Sequence, residues 1–202
     1  SKEKCELVGY LNKLAPNNYK SIFKQISKVD LVGDLLIFMI ESIFSVAIKQ
    51  KMFCSIYVSL IQEIQKKHDI KNLLNSYISG YSDVQNSLTE NTEDTYESFC
   101  EKNKEKIGKA GYSQFIGELY LHDMVSKSIV TNTITNLFDN LQKSENEETS
   151  ENNIICICSF LNTIKSKLDN KKDINEQIKN SYKFIKVKRL KFKMMDLEDI
   201  IT

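Results

Sequence analysis

The sequence predicts an all-α protein, an α-solenoid of about five antiparallel helix pairs. Two observations lead to this fold class. The 202 residues contain one proline and six glycines, too few to punctuate the turns of a strand-rich protein. Apolar residues recur at helical spacing along nearly the whole chain. About ten helices taken in pairs then give the period of roughly forty residues that stacked helical repeats show.

Five helices are predicted in the first half of the chain. The first covers about 4–14. Pro16, the only proline, is predicted to begin the second, because the first turn of a helix does not need the N–H that proline lacks. Asp30 is predicted to cap the third helix, which is apolar on most sides and should therefore lie in the middle of the fold. The fourth and fifth cover about 52–67 and 70–82.

The second half combines two predicted loops with further helices. Helical periodicity weakens over 83–109 into a polar, acid-rich stretch, which predicts a flexible insertion loop, and 144–153 predicts a second loop. Because the helices on both sides share one repeat period, residues 1–202 are predicted to form a single domain. The helices of this half cover about 112–124, 126–141, 154–168, 174–186 and 187–201.

The composition narrows the class of partner. Lys and Arg number 28 and Asp and Glu number 27, so nucleic acid could bind only through a local patch and not through the overall charge. The longest apolar run, 35–48, is interrupted by Glu41 and is too short to cross a bilayer, so no membrane contact is expected. Five scattered cysteines, an odd number, favour free thiols in a reducing compartment. We expect a cytoplasmic, monomeric protein.

No residue pattern indicates catalysis. The two histidines, His68 and His122, are far apart in the sequence, and neither has a partner at metal-ligand spacing. Cys156 and Cys158 lie two residues apart on a predicted helix, so their side chains point roughly 200° apart and cannot easily share a metal. The chain has no glycine-rich phosphate loop and no nucleophile motif. We therefore expect no catalytic residue, no metal, no cofactor and no enzymatic activity.

A basic patch lies near the C-terminus, over residues 183–193, which contain six cations and no acid. On a helix these cations would occupy more than one face. Two interpretations stay open, a solvated terminal helix and a contact with RNA phosphates or with an acidic protein surface. The cations of the basic patch are Lys183, Lys186, Lys188, Arg189, Lys191 and Lys193.

Four segments together resemble the middle domain of eukaryotic translation initiation factor 4G. Residues 11–16 (LNKLAP) are similar to the signature that opens this domain, and 115–120 (FIGELY) to the signature that opens its later half. The other two similar segments are 53–57 and a discontinuous one, which joins 156–169 to 189–192 and Asp196. The resemblance covers essentially the whole chain and implies a crescent of five HEAT-type helical repeats, the fold class that periodicity also predicts.

The resemblance implies a non-catalytic scaffold that binds a DEAD-box RNA helicase of the initiation factor 4A type. In the family, this domain orients the two lobes of the helicase and raises its ATPase and unwinding activity. A hairpin near the N-terminus docks the C-terminal lobe. By resemblance, Leu11, Leu14 and Tyr19 are then the docking anchors, and Asn12 and Pro16 shape the hairpin. From the residues alone, ordinary core packing of the same side chains stays open.

The resemblance also implies a weaker second contact at the opposite end of the crescent, with the N-terminal lobe of the helicase. Arg189, Phe192 and Asp196 fall near it. Messenger RNA and other initiation factors are implied as further partners, and the cap-binding protein only through regions outside this chain. Two alternatives stay open, a scaffold of RNA processing or decay from the same superfamily, and a direct RNA-binding module that uses the basic patch.

Overall fold

The computed structural model describes residues 1–86 and 96–202, with side chains described outside 80–105 and 107. This part of the chain is helical and contains no strand, and the predicted all-α solenoid is confirmed. Three short 3-10 helices, η1 (Lys51–Phe53), η2 (Lys165–Lys167) and η3 (Tyr182–Phe184), join the longer elements. The α-helices are α1 (Lys2–Lys13), α2 (Tyr19–Ile26), α3 (Asp34–Lys49), α4 (Cys54–Gln65), α5 (Lys71–Asn86), α6 (Tyr96–Leu121), α7 (Lys127–Gln142), α8 (Glu147–Ile164), α9 (Lys171–Ser181) and α10 (Lys188–Ile201).

The helices form a row in which each long helix packs on the next. Helix α1 packs on α3, α3 on α6, α6 on α8, and α8 on α10, and the contact between α6 and α8 is the most extensive. Helices α2, α4, α5, α7 and α9 pack beside this row. The N-terminal and C-terminal ends of the chain therefore lie at opposite ends of the solenoid.

The core is continuous along the row. Helix α3 buries Phe44 near its C-terminal end, where the Phe44 ring stacks on Tyr77 of α5 and meets the edge of Phe115 of α6, with centroids 4.8 Å apart in both pairs. Aromatic pairs at this distance add to the apolar area that they bury. Because these rings come from three helices, the cluster fixes α3, α5 and α6 relative to one another.

Two glycines of α6 allow its neighbours to approach closely. A Cβ atom on Gly111 would lie 2.0 Å from the carbonyl oxygen of Ile48 in α3. A Cβ atom on Gly117 would lie 2.8 Å from Cγ2 of Thr163 in α8. Both distances are shorter than carbon atoms tolerate, so α6 packs on both neighbours at glycine positions. Gly117 is the glycine of the FIGELY segment, and its structural role is this contact with α8.

Both predicted loops are mostly helical in the parts that the structure describes, where only residues 144–146 lie outside a helix. Of the predicted loop 83–109, residues up to 86 belong to α5 and residues from 96 onward to α6, while 87–95 lie outside the described residues. Of 144–153, the residues from Glu147 onward belong to α8. Helix α8 begins with a capping box between Asn146 and Thr149, and its first turn holds Glu147 and Glu148, which complement the helix dipole.

Two predicted helix starts also differ from the structure. Pro16 does not begin a helix but occupies the second position of a β-turn over residues 15–18, where its fixed φ is equally well accommodated. Helix α2 begins three residues later, at Tyr19. Asp30 does not cap α3, whose N-cap is Gly33 with a φ of 53°, in the left-handed region that favours glycine.

Candidate docking surfaces

The turn between α1 and α2 is held by one side chain, that of Asn18. The backbone N–H of Asn18 donates to the carbonyl of Ala15 at 3.1 Å and closes the β-turn. Its Oδ1 accepts from the N–H of Ala15 at 2.8 Å, and its Nδ2 donates to the carbonyl of Lys13 at 2.7 Å. Sequence reasoning missed this role, although asparagine is a common turn residue because its side chain hydrogen-bonds nearby backbone groups.

Tyr57 of helix α4 contacts the end of α1, just before this turn. The hydroxyl of Tyr57 is fully buried and lies 3.3 Å from the carbonyl oxygen of Leu11 and 2.9 Å from Oε1 of Gln50. Burial raises the pKa of Tyr57 to about 12, so the hydroxyl keeps its proton and remains a donor. The carbonyl of Leu11 also accepts from the backbone N–H of Leu14 at 3.2 Å, so Tyr57 adds a contact that joins the last turn of α1 to α4.

The structure separates the five residues of the predicted first contact into two groups. Leu11 is 0 % exposed and Leu14 is 2 % exposed, so neither side chain offers surface to a partner. This corrects their assignment as docking anchors: both pack in the core and hold the hairpin in place. Asn12 and Pro16 are exposed and Tyr19 is half-buried, so these three remain at the surface.

A groove opens beside the turn, with a volume of about 290 Å³. Pro16, Tyr19, Ile56 and Ser59 line it, and we call it the hairpin groove. The ring of Tyr19 stacks on Phe23 with centroids 6.0 Å apart, which fixes one wall. Burial, and then the nearby carboxylate of Glu63, raise the pKa of Tyr19. The groove is a shallow, mainly apolar recess that is open to a side chain of a partner protein.

The three residues of the predicted second contact lie on α10 in different environments. Phe192 is 60 % exposed, and Asp196 is also exposed. Arg189 instead contacts α8, where its guanidinium donates to Glu151 at 2.7 Å and to Glu147 at 3.1 Å. The structure therefore gives Arg189 a role in attaching α10 to α8.

Glu151 is the centre of an ion network that joins three helices. Besides Arg189 of α10, it accepts from Lys106 of α6 at 3.0 Å. The guanidinium of Arg189, with Lys106, lowers the pKa of the Glu151 carboxyl from 4.5 to about 2. The side chain is only 19 % exposed, so water screens these contacts less than it would at the surface.

The low pKa of Glu151 predicts a specific acid sensitivity. A carboxyl whose pKa is lower in the folded state stabilises the fold above its unfolded pKa, and this contribution is lost as the pH falls toward the folded pKa. For Glu151 the window is from about pH 4.5 down to about pH 2. We expect Glu151→Gln to flatten the fall in unfolding free energy across that window, as measured by urea denaturation at several pH values. An unchanged slope would contradict the network.

All six cations of the basic patch are exposed, but three of them have partners within the protein. Arg189 is paired as described above. The ammonium of Lys183 lies 5.0 Å from the centre of the Phe184 ring, and that of Lys191 lies 5.5 Å from the Tyr182 ring. Among the described residues, Lys186, Lys188 and Lys193 show no such side-chain contact. The patch available to phosphates is therefore smaller than its sequence suggests.

The described residues also bear on metal binding, thiol reactivity and membrane spanning. No group of three or more His, Cys, Asp or Glu side chains in that part of the chain could hold a metal ion. Burial raises the pKa of the Cys54 thiol to about 12 and that of Cys158 to about 11, which leaves both thiols protonated and unreactive. No helix that the structure describes is long and apolar enough to span a bilayer.

A comparison with known protein families identifies the chain as a type of scaffold domain. A model of the MIF4G domain matches residues 6–199, nearly the whole chain. MIF4G domains are scaffold domains that bind RNA helicases and RNA-associated proteins in translation and RNA processing, including RNA decay. The chain belongs to the MIF4G domain family.

Proposed function

We propose that this domain is a translation-initiation scaffold that binds a DEAD-box RNA helicase of the initiation factor 4A type through the hairpin groove. The observation that supports this most is the groove itself. It lies beside the LNKLAP segment, where the resemblance to initiation factor 4G is specific, and Pro16 of that segment lines it together with one residue of α2 and two of α4. Asn12 and Pro16 are exposed at the end of α1 and in the turn, and Tyr19 forms one wall of the groove.

The turn is suited to docking because hydrogen bonds hold it in one conformation. Asn18 closes the turn with two side-chain hydrogen bonds, and Tyr57 fixes the end of α1 to α4. A partner that binds here loses little entropy in ordering the loop, so more of the contact energy becomes affinity. An apolar side chain placed in a recess of this kind is a typical energetic centre of a protein interface.

The two proposed contacts with the helicase lie at opposite ends of the helix row. The hairpin lies at the α1 end, and the exposed Phe192 and Asp196 lie at the α10 end. A scaffold that holds both lobes stimulates the helicase if it binds the closed arrangement better than the open one. In this proposal the hairpin groove provides the stronger contact and α10 the weaker one.

A groove-filling variant tests the proposal. Ser59 lies in the groove and its hydroxyl donates to its own helix at 3.0 Å, so Ser59→Tyr adds a ring without removing a tertiary contact. We expect this variant to bind the helicase at least about tenfold more weakly than wild type, because the recess is filled. Isothermal titration calorimetry with the purified helicase gives the dissociation constants.

Ser76→Tyr is the matched control. Ser76 is an exposed serine of α5 with a similar bond to its own helix, and it lies outside the groove. Equal affinities for Ser59→Tyr and wild type would place helicase binding elsewhere. Binding by a helicase of RNA decay or splicing, with none by the initiation helicase, would favour the RNA-processing alternative.

Direct RNA binding is the second candidate, as an accessory contact. Lys186, Lys188 and Lys193 extend from the α10 end with their ammonium groups exposed. Three phosphate contacts would make affinity for single-stranded RNA fall with salt, with a slope of about −2 on logarithmic axes. The same titration with RNA alone separates this candidate from the first, since Ser59→Tyr leaves these lysines unchanged.

A further inference from the structure

Helix α10 has an exposed face with coiled-coil spacing. Lys188, Phe192, Met195 and Asp199 follow one another at intervals of four, three and four residues, so they lie along one face. Phe192 is 60 % exposed and Met195 is 43 % exposed. The opposite face provides the buried residues that attach α10 to the core, namely Leu190, Met194, Leu197 and Ile201.

The charges at the two ends of this face oppose the dipole of their own helix. Lys188 lies in the first turn of α10, which has no acidic residue, and Asp199 lies near the end, where the last turn has no basic residue. Helices are stabilised by the reverse order, with acids at the N-terminus and bases at the C-terminus. Within the described part of the chain neither Lys188 nor Asp199 forms an ion pair. Helix stability therefore does not explain their placement.

In place of the monomer expected from the sequence, we propose that this face binds the α10 face of a second copy of the chain, antiparallel and around a two-fold axis. Lys188 lies four residues before Phe192, and Asp199 lies four residues after Met195. When Phe192 of one copy packs on Met195 of the other, Lys188 consequently lies beside the second copy's Asp199. A two-fold axis forms each of these contacts twice, as isologous interfaces require.

The antiparallel arrangement also resolves the unfavourable helix ends. It places the second copy's Asp199 beside the N-terminus of α10 and the second copy's Lys188 beside the C-terminus. Each end then has a charge of the sign that its dipole favours. A parallel pairing would set Lys188 against Lys188 and Asp199 against Asp199, so electrostatics select the antiparallel register.

The dimer is weak, and it competes with another use of α10. One helix pair buries less than the roughly 1,200 Å² of a standard stable interface, so self-association falls in the range of tens to hundreds of micromolar and weakens with salt. The face contains Phe192 and lies next to Asp196. A dimer joined here therefore leaves the hairpin groove free while it covers the surface proposed for the second helicase contact.

Analytical ultracentrifugation of the 202-residue chain alone tests this proposal. At low salt the wild-type average mass should rise toward twice the monomer as concentration increases from about 10 µM to about 1 mM. Lys188→Glu and Asp199→Lys should each weaken self-association at least about tenfold, because each sets like charges together in both symmetric contacts. Lys172→Glu, at an exposed lysine of α9, is the charge-matched control and should behave as wild type.

A mixture provides the sharpest measurement. Lys188→Glu mixed with Asp199→Lys restores two opposite-charge contacts, so the equimolar mixture should associate as wild type does, while either variant alone does not. A chain that carries both Lys188→Glu and Asp199→Lys should self-associate as wild type does. A wild-type chain that stays monomeric up to about 1 mM at low salt would overturn the proposal, as would failure of the mixture to associate. If the α10 variants change only helicase affinity, the face is a helicase contact and not a self-association surface.

The measurements of self-association do not use the helicase. Their outcome is therefore independent of the test of the hairpin groove.

Discussion

Replacement of Gly111 by alanine is expected to destabilise the fold by about 3 kcal/mol or more. The new methyl group would lie 2.0 Å from the carbonyl oxygen of Ile48 and 2.9 Å from its carbonyl carbon. Both atoms are backbone, so no side-chain rotation relieves the clash, and α6 must move away from α3. In a protein of this size such a loss lowers the melting temperature by roughly 6–12 °C, which differential scanning calorimetry measures.

Gly108→Ala is the matched control for this prediction. Gly108 lies in α6, one turn before Gly111, and a Cβ atom there would meet nothing within 4 Å. Alanine at this position should be neutral or should stabilise the protein by up to about 1 kcal/mol, because glycine is a poor helix former. Equal effects at the two positions would show that α3 and α6 do not cross as closely as the structure places them.

Leu11→Ala is expected to cost about 2–5 kcal/mol of stability, because it leaves a cavity at a fully buried site. The exposed neighbour Asn12 provides the control, since Asn12→Ala should stay within about 0.5 kcal/mol of wild type. Urea denaturation measures both values. A stable Leu11→Ala variant that had lost helicase affinity would contradict the structure and return Leu11 to the docking surface.

The case of Leu11 and Leu14 shows where sequence reasoning stops. Their helical spacing predicts an apolar face correctly, but an apolar face at a helix end serves a core and a partner equally well. The deciding information is the position of α4, whose Tyr57 lies 46 residues after Leu11 in the sequence and contacts its carbonyl. No local pattern around Leu11 contains that contact.

The sequence does not predict the start of α8, for a different reason. Ser150, Asn152 and Asn153 are polar yet buried, so the apolar periodicity that marks a helix is absent there. Asn153 is accommodated because its Nδ2 donates to the carbonyl of Asn140 at 3.1 Å and to Oγ of Ser144 at 2.9 Å. Hydrogen bonds to α7 and to the connection that follows it make the burial of Asn153 possible, and only the tertiary structure shows them.

Arg189 illustrates the same limit for charge. In the sequence it belongs to a run of six cations, for which a solvated helix and a contact with phosphates or an acidic protein surface both stay open. Its partners Glu147 and Glu151 lie 42 and 38 residues earlier and are unrelated to that run by any local spacing. The fold class, the helical core and the family segments were accessible from the sequence, because periodicity and motif are local properties.

The measurement that tests the central claim most directly is the ATPase rate of an initiation factor 4A-type helicase with RNA, titrated with this domain. The account predicts saturable stimulation by the wild-type chain and by Ser76→Tyr, and a markedly higher half-saturating concentration for Ser59→Tyr. A flat titration, with no binding of the helicase by the wild-type chain, would contradict the proposal that this MIF4G domain is a helicase scaffold of translation initiation.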